Sequence, residues 1–219
     1  MREDYKYEDF EYDSKNPLGR GGFGEVFKAI EKKTGKVYAI KRFSIEYYKE
    51  EELKNMEIIN NYKCENSIKY FGSFKDKKLI YLIMEICDYS LAQITKNKKL
   101  DVKEIKEILE QLNNVFKIMY NNSIIHRDIK PENILIKKLE NNKFLYKLSD
   151  YGISKQLTES HKAPTYAGTT DYIAPEIKNY SNDDKSKVEN YRALEYLFIN
   201  CILEILLKII LYKKQIIII

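Results

Sequence analysis

Ile124-Ile125-His126-Arg127-Asp128-Ile129-Lys130-Pro131-Glu132-Asn133-Ile134-Leu135-Ile136 is the stretch on which the reading of this 219-residue chain turns. Two apolar runs enclose a polar centre in which a carboxylate, two cations and an amide fall within eight residues. Isoleucine-rich flanks bury the ends of a short loop and pin its polar centre at the lip of a core. Asp128 can take a proton, Lys130 can neutralise developing negative charge, and Asn133 offers a neutral oxygen to Mg²⁺. Such groups can converge on one phosphate and its metal. The plainer alternative is a solvated basic loop after a helix, and the rest of the chain has to decide.

The order of residues reads H-R-D-x-K-x-x-N and resembles the catalytic loop of the protein kinases. Working outward, Leu18-Gly19-Arg20-Gly21-Gly22-Phe23-Gly24-Glu25-Val26 holds four of the eight glycines within six residues. Glycine lets a backbone approach phosphate oxygens closely and present its N–H groups without side-chain interference. A dinucleotide-binding turn shares the spacing but runs straight into a helix. Here Val26 and Phe27 are followed by a Lys33-Thr34-Gly35-Lys36 turn and then by β-prone Val37-Tyr38-Ala39-Ile40-Lys41, so the glycines lie in a hairpin. This resembles the kinase phosphate-covering loop, formed by Gly19, Gly21 and Gly24. The resemblance makes Lys41 the lysine that holds the α- and β-phosphates, paired with a helix carboxylate.

Residues 45–62 read as that helix, rich in Glu, Lys and Leu. Glu52 shares a face with Met56 and Ile59, and an acidic residue on an apolar face needs a partner. Glu52 is therefore the expected partner of Lys41, with Glu51 as the alternative. Lys69–Phe74 and Leu79–Met84 read as strands joined by a lysine-rich turn, completing a five-stranded antiparallel sheet with one helix. By resemblance, Met84 guards the back of an adenine pocket and Glu85-Ile86-Cys87 is the hinge that meets the adenine edge. Leu18, Val26, Ala39 and Leu135 then enclose the base, although each fits equally well as plain core. Asp101–Tyr120 carries apolar residues at Val102, Ile105, Ile108, Leu109, Leu112, Val115, Phe116 and Met119, an amphipathic helix with Asp101 as N-cap.

Beyond the central stretch, Asp150-Tyr151-Gly152 resembles the kinase D-F-G with tyrosine for phenylalanine, an exchange expected to preserve packing. It implies that Asp150, with Asn133, holds Mg²⁺. Asp128 then orients a substrate hydroxyl and accepts its proton; an isolated Asp, with a pKa of about 3.9, is ionised at neutral pH. Gly168 to Glu176, ending Ala174-Pro175-Glu176, matches the close of the kinase activation segment. There Thr169 is expected near Asp128 and Lys130, and this combination resembles the serine/threonine members. Arg127 resembles the arginine that binds a regulatory phosphate, with Thr165 in the position where that phosphate sits. The resemblance thus implies an α+β, two-lobed kinase fold with a small β-rich lobe (10–86) and a mainly helical lobe (87–219), preceded by a charged tail (1–9). It also implies ATP and Mg²⁺ as ligands and a protein Ser/Thr hydroxyl as acceptor.

The resemblance runs from Leu18 to Glu176 and then decays. Where the family has an aspartate and then a glycine in a buried helix, the best register puts Glu189 and Glu195, and the helical lobe reads as cut short. Leu194–Tyr212 carries twelve Leu, Ile or Phe residues on nearly all sides of a helix, so it is expected to be buried. A membrane span is the rival reading. Twelve such residues contribute about −4 to −7 kcal/mol, which Glu204 and Lys208, at roughly 2.5–3.5 kcal/mol each, nearly cancel. A non-catalytic fragment that binds nucleotide or a partner is the alternative to an enzyme.

Composition is compatible with both. The chain is 44% hydrophobic and 32% charged, with 38 basic against 33 acidic residues, both signs mixed. That balance gives no reason to expect nucleic-acid binding. Cys64, Cys87 and Cys201 form no C-x-x-C pair, and with two histidines a reduced intracellular setting without a zinc site is expected. The charged start is unlike a signal peptide, and Arg2 excludes the myristoylation pattern.

Overall fold

A computed structural model describes residues 5–21, 24–47, 50–126, 128–151 and 155–156, with backbone alone at 51, 52, 125, 141, 155 and 156. It has the β-rich lobe and the helical region expected. The sheet contains β1 (Phe10–Tyr12), β2 (Gly19–Gly21), β3 (Gly24–Glu31), β4 (Val37–Ser44), β5 (Tyr70–Asp76) and β6 (Leu79–Met84). All pairings are antiparallel, in the order β1-β3-β4-β6-β5, with β2 also on β3. The expected first strand is thus split in two along β3: β1 faces Ala29–Glu31 and β2 faces Gly24–Val26. Its interruption has a local cause. The Asp13 carboxylate accepts the Lys15 backbone N–H at 2.9 Å and the Asn16 amide at 2.6 Å. Pro17 then has no N–H to give the ladder.

The two faces of the sheet differ in chemistry. Along β4, Tyr38 and Ile40 point to an aromatic outer layer that includes Phe10, Phe74 and Tyr81, while Phe43 points to the inner core. Alternation along a strand then puts Ala39 and Lys41 on the inner side with Phe43. Phe74 and Tyr81 stack at 4.6 Å and Phe10 and Phe74 at 5.9 Å. Residues ahead of β1 join this layer, with Tyr5 8% exposed and 5.4 Å from the Phe10 ring.

Helix α1 (Glu50–Asn61) is shorter than expected. Ile45–Tyr47 forms a 3-10 turn instead, and its Ile45 N–H bonds the Lys78 carbonyl at the sheet edge, 2.8 Å away. α1 buries Met56 and Ile59. The chain then crosses through β7 (Tyr89–Ser90) into α2 (Leu91–Asn97), capped reciprocally by Ser90 and Gln93. α3 (Val102–Asn121) starts at Asp101, whose carboxylate accepts the Glu104 N–H at 2.8 Å. Ile105, Ile108, Leu112, Val115, Phe116 and Met119 of α3 are buried as expected, but Val102 is 81% exposed, being in the first turn before the helix meets the core.

β8 (Ile124–Ile125), β9 (Ile134–Lys138), β10 (Phe144–Leu148) and β11 (Lys155–Gln156) follow, with β9 between β10 and β7 and β11 paired to β8. Asn66, 5% exposed, ties the loop after α1 to this region. It donates to the Tyr146 carbonyl at 3.0 Å, accepts from Asn114 of α3 at 3.0 Å, and its carbonyl accepts the Leu148 N–H at 2.8 Å. One core runs from Phe43 and Met56 to Leu148 and Tyr151. No helix among the described residues is long and apolar enough to cross a membrane. The apolar stretch 194–212 lies outside the described residues.

Candidate active site

The central loop is held by its apolar flanks and by one histidine. Ile124 and Ile134 are buried on either side, Ile129 is buried within the loop, and His126 is fully buried. The His126 Nδ1 accepts the Asp128 N–H at 3.3 Å, so the proton sits on Nε2, which donates to the Ser149 carbonyl at 3.0 Å. Burial pushes the His126 pKa below its ordinary value. The neutral ring is the form this hydrogen-bond pattern requires.

Asp128, 6% exposed, has its Oδ2 2.8 Å from the Lys130 ammonium. The Asn133 amide donates to the same Oδ2 at 2.9 Å and to the Asp128 carbonyl at 2.7 Å. With its nitrogen committed twice, the Asn133 side chain has its direction set. The Asn133 carbonyl in turn accepts the Ser149 N–H at 2.9 Å and the Ser149 hydroxyl at 3.0 Å. Asp128, Lys130, Asn133 and the segment carrying Asp150 are therefore one hydrogen-bonded unit.

Lys41, 6% exposed, meets that unit from the sheet, its Nζ 2.5 Å from Asp150 Oδ1. Burial raises the Asp150 pKa, but the adjoining ammonium more than reverses this and leaves the carboxyl below its ordinary range. Lys41 thus lies against Asp150. The side chain of Glu52, its expected partner, is outside the described residues, as are Arg127, Thr165 and Thr169. Asp150 has φ +61°, a left-handed conformation that side chains other than glycine rarely take.

The glycines divide into two kinds. A Cβ on Gly19 or Gly21 would meet nothing within 4 Å, whereas one on Gly24 would lie 2.3 Å from the Arg42 carbonyl oxygen. Gly24 also has φ +143°. It lets β3 and β4 approach each other, and the other two have open space beside them. Val26 is opposite Lys41 and Ala39 opposite Met84 in adjacent strands, so glycine strand, lysine and hinge are in register. β9, which carries Leu135, is joined to the residues after the hinge: the Asp88 N–H bonds the Ile136 carbonyl at 3.0 Å, and Ser90 pairs with Leu135. Leu18 is 53% exposed. The Cys87 thiol is pushed up to about 12 by burial, so it is uncharged at neutral pH.

Two charged clusters escape sequence reasoning. The Glu85 side chain turns away from the hinge backbone into the protein, 2.6 Å from Lys137 and 3.1 Å from Lys147. Burial raises its pKa, and the two ammonium groups bring it below the ordinary value. Lys147 is 1% exposed and also donates to the Glu65 carbonyl at 2.5 Å. On the glycine strands, Glu25 bridges Arg20 at 3.1 Å and Arg42 at 2.5 Å. The second cluster had a signal, opposite charges at facing strand positions. The first had none, because its members lie far apart in the chain.

The amide oxygen of Asn133 and the carboxylate of Asp150 are hard oxygen donors, of the kind that fits a hard divalent cation better than a soft one. The protein kinase domain family matches residues 12–202 of the chain. Among similar proteins is the serine/threonine-protein kinase pakG of Dictyostelium discoideum, 38% identical over 174 residues, covering 75% of this chain and 14% of that protein. Serine/threonine-protein kinase 4 homolog B of the same organism is 34% identical over 194 residues, covering 86% of this chain and 17% of its own length. Serine/threonine-protein kinase cst-1 of Caenorhabditis briggsae is 34% identical over 170 residues, 76% of this chain and 34% of that protein. The chain therefore spans about a third or less of these relatives.

Proposed function

Because the chain belongs to the protein kinase domain family, we propose that it transfers the γ-phosphoryl group of ATP to serine or threonine hydroxyls of a protein. The observation that carries this reading is the hydrogen-bonded unit Asp128–Lys130–Asn133–Ser149 with Lys41 closing on Asp150. Phosphoryl transfer needs little covalent help from a protein; it needs alignment and charge compensation at fixed points. Lys41 would hold the α- and β-phosphates under the open backbone of Gly19 and Gly21. Asp128 would orient the acceptor hydroxyl and take its proton, and Lys130, already on Asp128 Oδ2, would follow the transferred charge. Asn133 and Asp150 would hold Mg²⁺, which, when bound, neutralises charge on the β- and γ-phosphates. The backbone of Glu85 and Cys87 would meet the adenine edge, with Leu18, Val26, Ala39, Met84 and Leu135 around the base. Glu52, Thr169 and an Arg127–Thr165 phosphate contact complete the reading by resemblance.

The test is transfer from labelled γ-phosphate to peptide mixtures that differ only in Ser, Thr or Tyr as acceptor. Labelling of the Ser and Thr mixtures, with the Tyr mixture at background, is expected. Nucleotide binding with no transfer to any acceptor would replace the enzyme by a binding module.

A further inference from the structure

Tyr151 does more than fill the space of a phenylalanine. Its hydroxyl lies 2.8 Å from Ser67 Oγ, with Tyr151 1% and Ser67 4% exposed. Ser67 is itself fixed: its N–H bonds the Cys64 carbonyl, its carbonyl accepts from Lys147 at 3.4 Å, and its backbone bridges Leu148 in parallel. The Tyr151 ring also lies 5.2 Å from that of His126, which is locked to Ser149 and Asp128. The residue just before Tyr151 is Asp150, whose backbone is held at φ +61°. A left-handed aspartate costs free energy and persists only where its surroundings hold it. Yet this strained residue carries the carboxylate that meets Lys41 at 2.5 Å.

We propose that the buried Tyr151–Ser67 hydrogen bond is a positioning contact that keeps Asp150 on Lys41. The ring alone fills the pocket. The hydroxyl ties the strained segment to the loop after α1, so that relaxation of Asp150 requires breaking a bond between two buried groups. Phenylalanine would keep the ring packing and lose the tether. Removal of Ser67 Oγ is the harsher change, because it takes a partner from a phenol that has almost no access to water. The consequence for nucleotide binding rests on the kinase reading; the tether itself does not.

Ser67→Ala, Tyr151→Phe and the double variant, in the full chain, test it with two readouts. The first is acetylation of Lys41 by acetic anhydride without nucleotide, quantified by mass spectrometry relative to Lys147. Lys147 is as buried, and its partners, the Glu85 carboxylate and the Glu65 and Ser67 backbone carbonyls, are kept in every variant, so the ratio cancels global opening. Release of Asp150 frees Lys41, and the ratio should rise about 5- to 100-fold in Ser67→Ala, the range for leaving a buried hydroxyl short of a partner. Tyr151→Phe should raise it about 2- to 10-fold, and the double variant should be no worse than Tyr151→Phe, because the phenol that lost its Ser67 partner is gone. The second readout, the Mg²⁺-dependent part of ADP affinity, should fall in the same order. Unchanged Lys41-to-Lys147 ratios in both single variants, or effects that simply multiply in the double variant, would overturn the proposal. If the unmodified chain binds no Mg-nucleotide, the kinase reading fails, while the Lys41 ratio still decides on the tether.

Discussion

Replacing Gly24 by alanine separates the two jobs that the glycine loop performs. The added Cβ would lie 2.3 Å from the Arg42 carbonyl oxygen and 2.9 Å from Phe43 Cβ, both on β4. That strand is flanked by β3 and β6, so it can yield only by disturbing two ladders. Overpacking of this kind costs about 1–3 kcal/mol. Forcing alanine to φ +143° adds about 1–3 kcal/mol. With partial relaxation the expected loss is about 3–4 kcal/mol, read as a shift in the urea midpoint at constant m. The displaced strand carries Lys41, so nucleotide affinity should fall as well. Gly19→Ala and Gly21→Ala meet nothing within 4 Å. Their stability should stay within about 0.5 kcal/mol of the parent, while nucleotide affinity falls because a side chain then occupies the phosphate approach. Equal stability losses in Gly24→Ala and Gly21→Ala would refute the division of roles.

Two further outcomes follow from buried charge and from the histidine. Lys147→Met leaves Glu85 with Lys137 alone and should cost about 3 kcal/mol, the low end for breaking a buried ion pair; Lys137→Met, at a half-exposed lysine, should cost under about 1 kcal/mol. Denaturant midpoints for the two variants check this, and similar losses would contradict it. His126 has a depressed folded pKa, so below about pH 6.5 the unfolded chain binds more protons than the folded one. Its contribution is full above that pH and is lost as pH falls, at up to about 1.4 kcal/mol per unit. Urea midpoints from pH 7.5 to 5.5 should show this slope in the parent and a shallower one in His126→Phe; an identical slope would count against the buried neutral ring.

What could be read from the chain was local. The glycine hairpin, the Leu79–Met84 strand, and α3 with its Asp101 cap depend on period, turn residues and neighbours within four positions. The apolar residues around the polar centre of the 124–136 stretch also explain its burial, with Ile124 and Ile134 on its flanks and Ile129 within it. What escaped depends on contacts across the fold. Glu85 and Lys147 are 62 positions apart, and Ser67 and Tyr151 are 84 apart, with no pattern to announce either pair. Glycine composition could not distinguish Gly24, which is crowded by β4, from Gly21, which is open. The break between β1 and β2 was carried by Asp13 and Pro17, both visible, but the pairing of its two halves to one strand was not.

The central claim is that Lys41, Asp150, Asn133 and Asp128 form one phosphoryl-transfer site in which holding the nucleotide and activating the acceptor are separate tasks. Parallel measurement of Mg-ATP affinity and of transfer rate in the parent, Lys41→Met, Asp150→Asn and Asp128→Asn tests it most directly. Lys41→Met and Asp150→Asn should each lower affinity and abolish transfer. Asp128→Asn should keep affinity within about threefold of the parent while transfer falls by about 10²-fold or more, the scale of losing a positioned base. Background transfer from all four proteins, or an Asp128→Asn variant as fast as the parent, would contradict the account.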